Sequence, residues 1–330
     1  MVSIGYTIMS EQAGPKQLVA DAVRAERVGF DFLAASDHYF PWLSVQGHSP
    51  YAWAVLGAVA QATEQIELMT YVTCPIMRYH PAVVAQKAAT IQLLSDGRFT
   101  LGLGSGENLN EHVVGGAWPP VDVRHEMLTE AFEIIRPLLA GETVTFRGDH
   151  LEAENARLWD LPHDPPKIGM AVSGPRSCEL AGRYADVMIA VQPDVELGER
   201  FDAAGGAGKP RVGQVGLSYD PDLTAARSRA HQQFRWFTGG WKVMAELPGP
   251  SHFDAASQSV REDDIAEQMP CGPDVAAHVA GVQKFVDAGF THVAVVQIGG
   301  DTQDRFFDWA EAELLPELRR LGPDEGRKAG

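Results

Sequence analysis

Cysteine is scarce in this sequence, and its pattern rules out two kinds of scaffold. The three cysteines, Cys74, Cys178 and Cys271, are widely spaced, odd in number and form no Cys-X-X-Cys motif. A disulfide framework needs paired cysteines, and a structural zinc site needs closely spaced ligands. Because both are lacking, the sequence predicts neither disulfides nor a metal site, and it indicates a reducing cytoplasmic compartment.

Positive charge and long apolar runs are also lacking. Lysine and arginine number 27 against 44 acidic residues, which gives a formal net charge of -17. A nucleic-acid or anionic membrane partner would need a basic surface, so neither partner is expected. No apolar run approaches the length of a membrane span, and a strand pattern begins at Val2, which leaves no room for a signal peptide. A cytoplasmic protein with a small-molecule ligand is the expectation.

What the sequence does contain is a regular alternation of strands and helices. Eight strands, nearly every one followed by a helix, predict a (β/α)₈ TIM barrel, with a doubly wound sheet as the main alternative. The predicted strands are residues 3–8, 30–35, 66–73, 98–103, 168–172, 187–191, 213–218 and 292–298. The predicted helices are residues 17–28, 51–63, 82–94, 126–139, 175–184, 222–237 and 273–288.

Two long insertions interrupt this alternation. Residues 141–166, after strand 4, are rich in turn residues and contain a possible hairpin at Thr143–Phe146, whereas residues 236–271, after strand 7, show little periodicity. Connections of this length usually form lids or walls of a functional site. No linker or internal repeat is present, so we expect a single domain over residues 1–330.

Polar residues follow several of the predicted strands. Asp37, His38 and Trp42 come directly after strand 2, and the carboxyl ends of parallel strands are where barrels bind ligands. The alternative is that Asp37 caps the next element while His38 and Trp42 are half-buried loop residues. Recurrence of a polar cluster after other strands favours the functional interpretation.

Strand 4 is followed by alternating glycines and then by Glu107 and Asn110. Gly102, Gly104 and Gly106 let the backbone approach a ligand closely, so Ser105 and Gly106 are candidate ligand contacts. The segment is not a dinucleotide fingerprint, because no helix follows directly with an acid about 20 residues on. The alternative is a turn at the barrel rim, in which Glu107 and Asn110 cap the next helix.

Strand 5 is followed by Ser173-Gly174-Pro175-Arg176 at the start of a helix. Backbone amides at a helix N-terminus, with an arginine in the first turn, favour a phosphate site. An ordinary strand-to-helix turn is the alternative.

Taken together, these segments resemble the luciferase-like F420-dependent oxidoreductases, and most closely the F420-dependent glucose-6-phosphate dehydrogenase group. The resemblance covers nearly the whole chain and implies a (β/α)₈ barrel, coenzyme F420 and a homodimer. It is carried by Ser36-Asp37-His38-Tyr39-Phe40-Pro41-Trp42, Tyr79-His80-Pro81, Gly104-Ser105-Gly106-Glu107, Leu109-Asn110-Glu111, Gly116-Ala117-Trp118-Pro119, Ser173-Gly174-Pro175 and Ser218-Tyr219-Asp220-Pro221.

The resemblance implies a role for each matching residue. His38 would face the substrate hydroxyl as the base, Trp42 would wall the substrate pocket, and Glu107 would lie near the pyrimidine ring of the deazaflavin. His252, in the second insertion, is the alternative base. Further coenzyme contacts are expected from Asp37, from Tyr71 and Val72, where the family has a non-proline cis peptide, from Ser105, Gly106, Asn110 and Val172, and, around the tail phosphate, from Ser173, Gly174, Pro175 and Arg176.

The sequence departs from the sugar-phosphate dehydrogenases of this family where those enzymes hold the substrate phosphate. They use two lysines and an arginine, but here residues 192–196, 248–258 and 269–272 contain no basic residue except His252. The expected substrate is therefore a neutral alcohol or carbonyl compound. Hydride transfer to C5 of F420 is the leading hypothesis, and an FMN-dependent monooxygenase of the same family or a non-catalytic coenzyme-binding barrel is the alternative.

Overall fold

The structure is a computed structural model and describes residues 2–322. Its strands are β1 (Ser3–Ile8), β2 (Phe32–Ala35), β3 (Glu67–Thr70), β4 (Phe99–Leu103), β5 (Val144–Arg147), β6 (Glu152–Ala156), β7 (Lys167–Ala171), β8 (Val187–Ala190), β9 (Arg211–Leu217) and β10 (His292–Gln297). Eight of them are parallel and close into a barrel in the order β1-β10-β9-β8-β7-β4-β3-β2, which confirms the predicted (β/α)₈ architecture. The remaining strands, β5 and β6, pair antiparallel outside the barrel.

Helices surround the barrel, and all seven predicted helices are present with small shifts at their ends. The structure adds short helices that the periodicity did not indicate, since four to seven residues are too few to show a helical repeat. The helices are α1 (Pro15–Val28), α2 (Ala52–Ala62), α3 (Pro81–Leu94), α4 (Asn108–Glu111), α5 (Val121–Leu139), α6 (Pro175–Tyr184), α7 (Val195–Phe201), α8 (Leu223–Phe234), α9 (Trp241–Met244), α10 (Pro250–Ala256), α11 (Glu262–Ala266), α12 (Val275–Asp287), α13 (Gln303–Trp309) and α14 (Leu315–Leu318).

The two insertions have different structures. The first contains the β5–β6 hairpin, as the alternation at Thr143–Phe146 predicted. The second, which looked aperiodic, folds into α9, α10 and α11, and its apolar side chains form a cluster with Trp42 and Leu43 from the loop after β2. This insertion therefore forms a wall beside the residues that follow strand β2.

The barrel interior is closely packed, and it explains why a glycine lies within strand β4. A Cβ atom at Gly102 would lie 2.0 Å from the carbonyl oxygen of Thr70 on the neighbouring strand, a distance no real side chain tolerates. Apolar side chains that include Phe32, Met69 and Ile189 fill the centre. Within residues 2–322, no helix is both long and apolar enough to cross a membrane.

Candidate active site

A cleft opens at the carboxyl ends of the barrel strands, where the sequence placed its polar clusters. Its volume is about 150 Å³, and residues that follow β1, β2, β3, β4 and β7 line it together with the wall from the second insertion. Of the predicted site residues, the lining includes Asp37, His38, Trp42, Tyr71, Val72, Ser105, Gly106, Glu107, Asn110, Val172 and Ser173.

His38 lies in this cleft between two carboxylates. Its Nδ1 atom is 3.4 Å from Glu11 Oε1 and its Nε2 atom is 3.7 Å from Glu107 Oε2. The ring is nearly buried, at 8% exposure, and Nδ1 also lies 3.1 Å from the carbonyl oxygen of Phe40. A histidine held between two acids is oriented at both ring nitrogens, which suits it to proton transfer.

Glu11 is the residue that the sequence interpretation missed. It is in a short 3₁₀ turn, Ser10–Gln12, directly after β1, and it is almost completely buried. Its Oε2 atom accepts hydrogen bonds from Ser36 Oγ at 2.6 Å and Ser10 Oγ at 3.1 Å, so the carboxylate is fixed toward His38. The signal was present, because a polar cluster after strand β1 is the same pattern that identified Asp37 and His38 after β2.

Glu107 is held on the opposite side of His38. Burial raises the pKa of Glu107 above its ordinary value, while His38 and the side chain of Asn110 act in the opposite direction. Asn110 Nδ2 donates to Glu107 Oε2 at 2.8 Å, and Asn110 Oδ1 accepts from the backbone amide of Tyr39. Glu107 precedes helix α4 but makes no capping hydrogen bond to it, so the geometry does not support the alternative role of helix cap.

Asp37 is in the cleft floor, and protein groups already occupy both of its carboxylate oxygens. Thr73 Oγ1 and Trp53 Nε1 donate to Oδ2, at 2.7 and 3.1 Å. Arg78 Nη2 and Tyr79 Oη donate to Oδ1. The carboxylate of Asp37 therefore fixes the loop after β2. Because both of its oxygens are occupied, a contact with the coenzyme would have to come from other atoms of Asp37.

A second buried carboxylate, Glu111, shares Arg78 with Asp37. Glu111 Oε2 accepts from the backbone amide of Arg78 at 2.7 Å, and Glu111 Oε1 is 3.4 Å from Arg78 Nε. Burial raises the pKa of Glu111 to about 7 despite this cation. Arg78 is thus already engaged with two acids, and it is the only arginine that lines the cleft within residues 2–322, where no lysine lines it.

Aromatic rings form the wall opposite the carboxylates. Trp42 and Trp236 stack with ring centroids 4.1 Å apart and planes 7° from parallel, and His38 is 4.7 Å from Trp42. Phe253 on α10 packs edge-on against Trp42 at 5.2 Å. Since α10 turns Phe253 inward, its neighbour His252 is exposed and does not line the cleft. His252 as the alternative base therefore stays a prediction, at a position outside the cleft lining.

The side of the cleft formed after β3 and β7 contains the segments expected to contact the coenzyme. The Tyr71–Val72 peptide bond is cis, as the resemblance implied. After β7, Val172 and Ser173 line the cleft, and Ser177 Oγ accepts from the backbone amides of Ser173 and Gly174 at 3.1 and 3.2 Å. Gly174, Pro175 and Arg176 are outside the lining, at the start of α6.

Two buried polar atoms indicate that the cleft is built to hold a ligand. Trp236 Nε1 and His125 Nδ1 have no hydrogen-bond partner among the described residues, and both residues line the cleft. Buried polar groups nearly always have a hydrogen-bond partner, so two nitrogens without one in the same cleft suit a ligand with both polar and flat apolar parts. A deazaflavin with a polar side chain fits this set of donors and rings.

The chain is similar in sequence to proteins of one known family. The family model described as luciferase-like monooxygenase matches residues 2–292. The chain is 34% identical to the F420-dependent glucose-6-phosphate dehydrogenase of Amycolatopsis mediterranei (98% of this chain and 100% of that one). It is 37% identical to the F420-dependent hydroxymycolic acid dehydrogenase of Mycobacterium tuberculosis (96% and 88%).

A solved structure shares the architecture as well. An F420-dependent secondary alcohol dehydrogenase, in complex with an F420-acetone adduct, superposes with a TM-score of 0.88 and 31% sequence identity. The match covers 96% of this chain and 99% of that chain. The similarity therefore extends over the barrel and both insertions.

Proposed function

The chain belongs to the luciferase-like monooxygenase family, and on that basis we propose that it transfers a hydride between the carbinol carbon of a neutral alcohol and coenzyme F420. It is an F420-dependent oxidoreductase of the dehydrogenase type. The observation that carries the proposal is the position of His38, between Glu11 and Glu107 and beside the stacked rings of Trp42 and Trp236.

When bound, coenzyme F420 supplies a hydride acceptor at C5 of its deazaflavin ring. The residues that would hold the ring are those after β3, β4 and β7: Tyr71, Val72, Ser105, Gly106, Glu107, Asn110, Val172 and Ser173. The start of α6, with Gly174, Pro175 and Arg176, would hold the tail phosphate, since a helix N-terminus and an arginine favour an anion there, although Ser177 Oγ already accepts from the amide of Gly174.

His38 would act on the substrate hydroxyl. Oxidation of an alcohol removes a proton from oxygen as hydride leaves carbon, and the imidazole of His38 would accept that proton. Glu11 would stabilise the resulting imidazolium through Nδ1, because its carboxylate is fixed by Ser10 and Ser36 at 3.4 Å from that atom. In the reverse direction, the same imidazolium would return the proton to a carbonyl oxygen.

The lining of the cleft favours a neutral substrate. Its acids, Glu11, Asp37, Glu107 and Glu111, far outweigh the one arginine that lines it within residues 2–322, which is already paired with Asp37 and Glu111. A substrate phosphate would thus enter a field of like charge, with no free lysine or arginine among the described lining residues to bind it. The stacked indoles and the apolar wall suit an alcohol with an alkyl body, and we propose a secondary alcohol as the substrate class.

The test is a spectroscopic titration followed by a turnover assay. We expect F420 to bind with saturable quenching of its fluorescence and FMN to bind weakly or not at all. With F420, a secondary alcohol such as 2-propanol should be oxidised and glucose 6-phosphate should not. An alcohol carrying deuterium on the carbinol carbon should deliver that deuterium to the reduced coenzyme, and a coenzyme without deuterium would overturn hydride transfer.

Three further properties belong to this proposal. Strands β1 and β10, the first and last barrel strands in the chain, pair with each other, which supports one domain over residues 1–330. The resemblance supports a homodimer, and the few unpaired cysteines support the cytoplasm as the compartment. Light scattering on the purified protein would test the dimer, with twice the chain mass as the expected result.

A further inference from the structure

Trp236 carries a hydrogen-bond donor that the proposed chemistry does not use. It is in the 3₁₀ turn Arg235–Gly239 at the start of the second insertion, is 7% exposed and lines the cleft. Its Nε1 atom is buried and has no hydrogen-bond partner within residues 2–322. An indole N–H can only donate, and buried tryptophans usually place it against an acceptor. A buried donor without a partner in a cleft therefore points to an acceptor on a ligand.

Aromatic rings fix the orientation of this donor. Trp236 stacks on Trp42 with ring centroids 4.1 Å apart, Phe234 lies 4.8 Å away, and Phe237 packs edge-on at 5.8 Å. A ring held on several sides cannot turn its N–H toward another part of the protein without breaking this packing. The direction of the Nε1–H bond is therefore set before a ligand binds, which favours recognition of one ligand group at a defined position.

The position of Trp236 favours the substrate over the coenzyme as the source of the acceptor. The three ring neighbours belong to the loop after β2 and to the segment after β9, whereas the residues proposed to hold the deazaflavin follow β3, β4 and β7. Trp42 contacts both Trp236 and His38, with ring centroids 4.1 and 4.7 Å away. One small substrate can therefore reach both His38 and Trp236.

The charge of the cleft restricts the acceptor to a neutral oxygen. An N–H group could also bind an anion, but four carboxylates line the cleft, and the one arginine among the described lining residues is paired with Asp37 and Glu111. An anionic group would be repelled there. Since His38 takes the substrate hydroxyl in the proposed function, the acceptor for Trp236 is a second oxygen of the same molecule.

We propose that Trp236 Nε1 donates a hydrogen bond to a second, neutral oxygen of the substrate. The enzyme then prefers secondary alcohols that carry an ether, hydroxyl or carbonyl oxygen a few bonds from the carbinol carbon. The inference rests on the proposed function, because His38 must take the first oxygen. Trp236 makes and breaks no covalent bond in this role, and it determines specificity only.

Matched pairs of alcohols isolate this hydrogen bond. In 4-methoxybutan-2-ol an ether oxygen replaces one CH₂ group of hexan-2-ol, and in 1-methoxypropan-2-ol it replaces one CH₂ group of pentan-2-ol, one bond closer to the carbinol carbon. Shape and chain length are nearly equal within each pair. With F420 and the wild type, we expect kcat/KM for the ether alcohol to exceed that for its partner about tenfold in at least one pair, the usual effect of one hydrogen bond.

Two tryptophan variants show whether Trp236 causes this preference. Trp236→Phe keeps an aromatic ring against Trp42 but lacks the donor, so the preference for the ether alcohol should disappear. Any loss caused by the smaller ring affects both members of a pair and cancels in their ratio. Trp159→Phe is the matched control, because Trp159 is 83% exposed and outside the cleft lining, and it should keep the wild-type preference.

A spectrum of the indole N–H groups tests the contact without turnover. The chain has seven tryptophans, and the indole nitrogen–proton signal that is missing in Trp236→Phe belongs to Trp236. Reduced F420 would be present to form the complex, since it cannot accept a hydride. Adding the preferred ether alcohol should move this signal downfield, as a new hydrogen bond does, and adding its alkyl partner should move it much less.

The outcomes separate this inference from the proposed function. Equal kcat/KM within both pairs in the wild type, or a preference that Trp236→Phe retains, overturns the role of Trp236. A Trp236 signal that moves with F420 alone and not with either ether alcohol assigns the donor to the coenzyme, which also overturns the inference. If the wild type oxidises none of the four alcohols with F420, the proposed function fails, and the inference fails with it.

Discussion

At the scale of single residues, His38 is the group on which the proposed chemistry depends. We expect His38→Ala to bind F420 normally and to lose turnover by about 100- to 10,000-fold, the usual cost of removing a positioned base. His252→Ala should keep near-normal turnover, because His252 is exposed on α10 outside the cleft. Steady-state kinetics on both variants check this, and loss of turnover only in His252→Ala would transfer the role of base to His252.

Glu11 is expected to act through His38 and not on the substrate. Glu11→Gln should lower kcat, since the amide cannot stabilise the imidazolium as a carboxylate does. The double variant, with Glu11→Gln and His38→Ala together, should lose no more kcat than His38→Ala alone, because the partner of Glu11 is already gone. Fully additive losses in kcat would show that Glu11 has a role independent of His38.

Glu107 faces the other ring nitrogen of His38, and its charge can be removed with little change of shape. In Glu107→Gln the side chain can still accept from Asn110 Nδ2, which donates to Glu107 at 2.8 Å in the wild type. We expect kcat to fall about 100-fold or more, while F420 affinity stays within a few-fold. Unchanged kcat with weakened F420 affinity would make Glu107 a binding residue only.

At the scale of elements, helix α10 supports the substrate side of the cleft from behind. Phe253 is 1% exposed and packs edge-on against Trp42, so Phe253→Ala should lower the free energy of unfolding by about 3 kcal/mol and raise KM for the alcohol. Phe253→Leu should recover part of both losses. Denaturant unfolding and kinetics measure them.

The neighbouring residue on the same helix provides the matched control. His252→Ala removes an exposed side chain, and its free energy of unfolding should stay within about 0.5 kcal/mol of the wild type. If Phe253→Ala unfolded at the wild-type denaturant concentration with unchanged KM, α10 would be a loosely attached segment and not a wall of the site.

At the scale of the whole molecule, a buried acid far from the cleft chemistry makes stability depend on pH. Asp21 on α1 is 2% exposed, and burial raises its pKa to about 6, with Asp304 acting in the same direction. Between its ordinary pKa of 3.8 and about 6, the native state binds more protons than the unfolded chain. This residue therefore lowers stability as pH rises through that window.

Asp21→Asn removes this effect and keeps an acceptor for Gln17, whose Nε2 donates to Asp21 at 2.8 Å. We expect the variant to gain stability relative to the wild type above pH 6, on the order of 1–3 kcal/mol, and to gain little at pH 4. Unfolding curves at both pH values check the sign. The exposed Asp160→Asn is the control, and an equal gain at pH 4 and pH 8 would contradict the assignment.

The sequence by itself determined the elements and the chemistry available at their ends. The eight barrel strands and the seven main helices lie within a few residues of their predicted positions, because the apolar repeat of a buried strand or an amphipathic helix is local information. The same holds for Asp37, His38, Glu107 and Ser173, which directly follow strands whose carboxyl ends must meet at one end of a barrel.

Only the tertiary structure decided how those residues pair. Barrel closure places β1 beside β2, so that Ser10 and Ser36 hold Glu11 against His38, although Glu11 and His38 are separated by a whole helix in the chain. Packing against Trp42 turned Phe253 inward and left His252 in solvent. Such choices depend on contacts between distant segments, which no local repeat encodes, and they exist only once the barrel has formed.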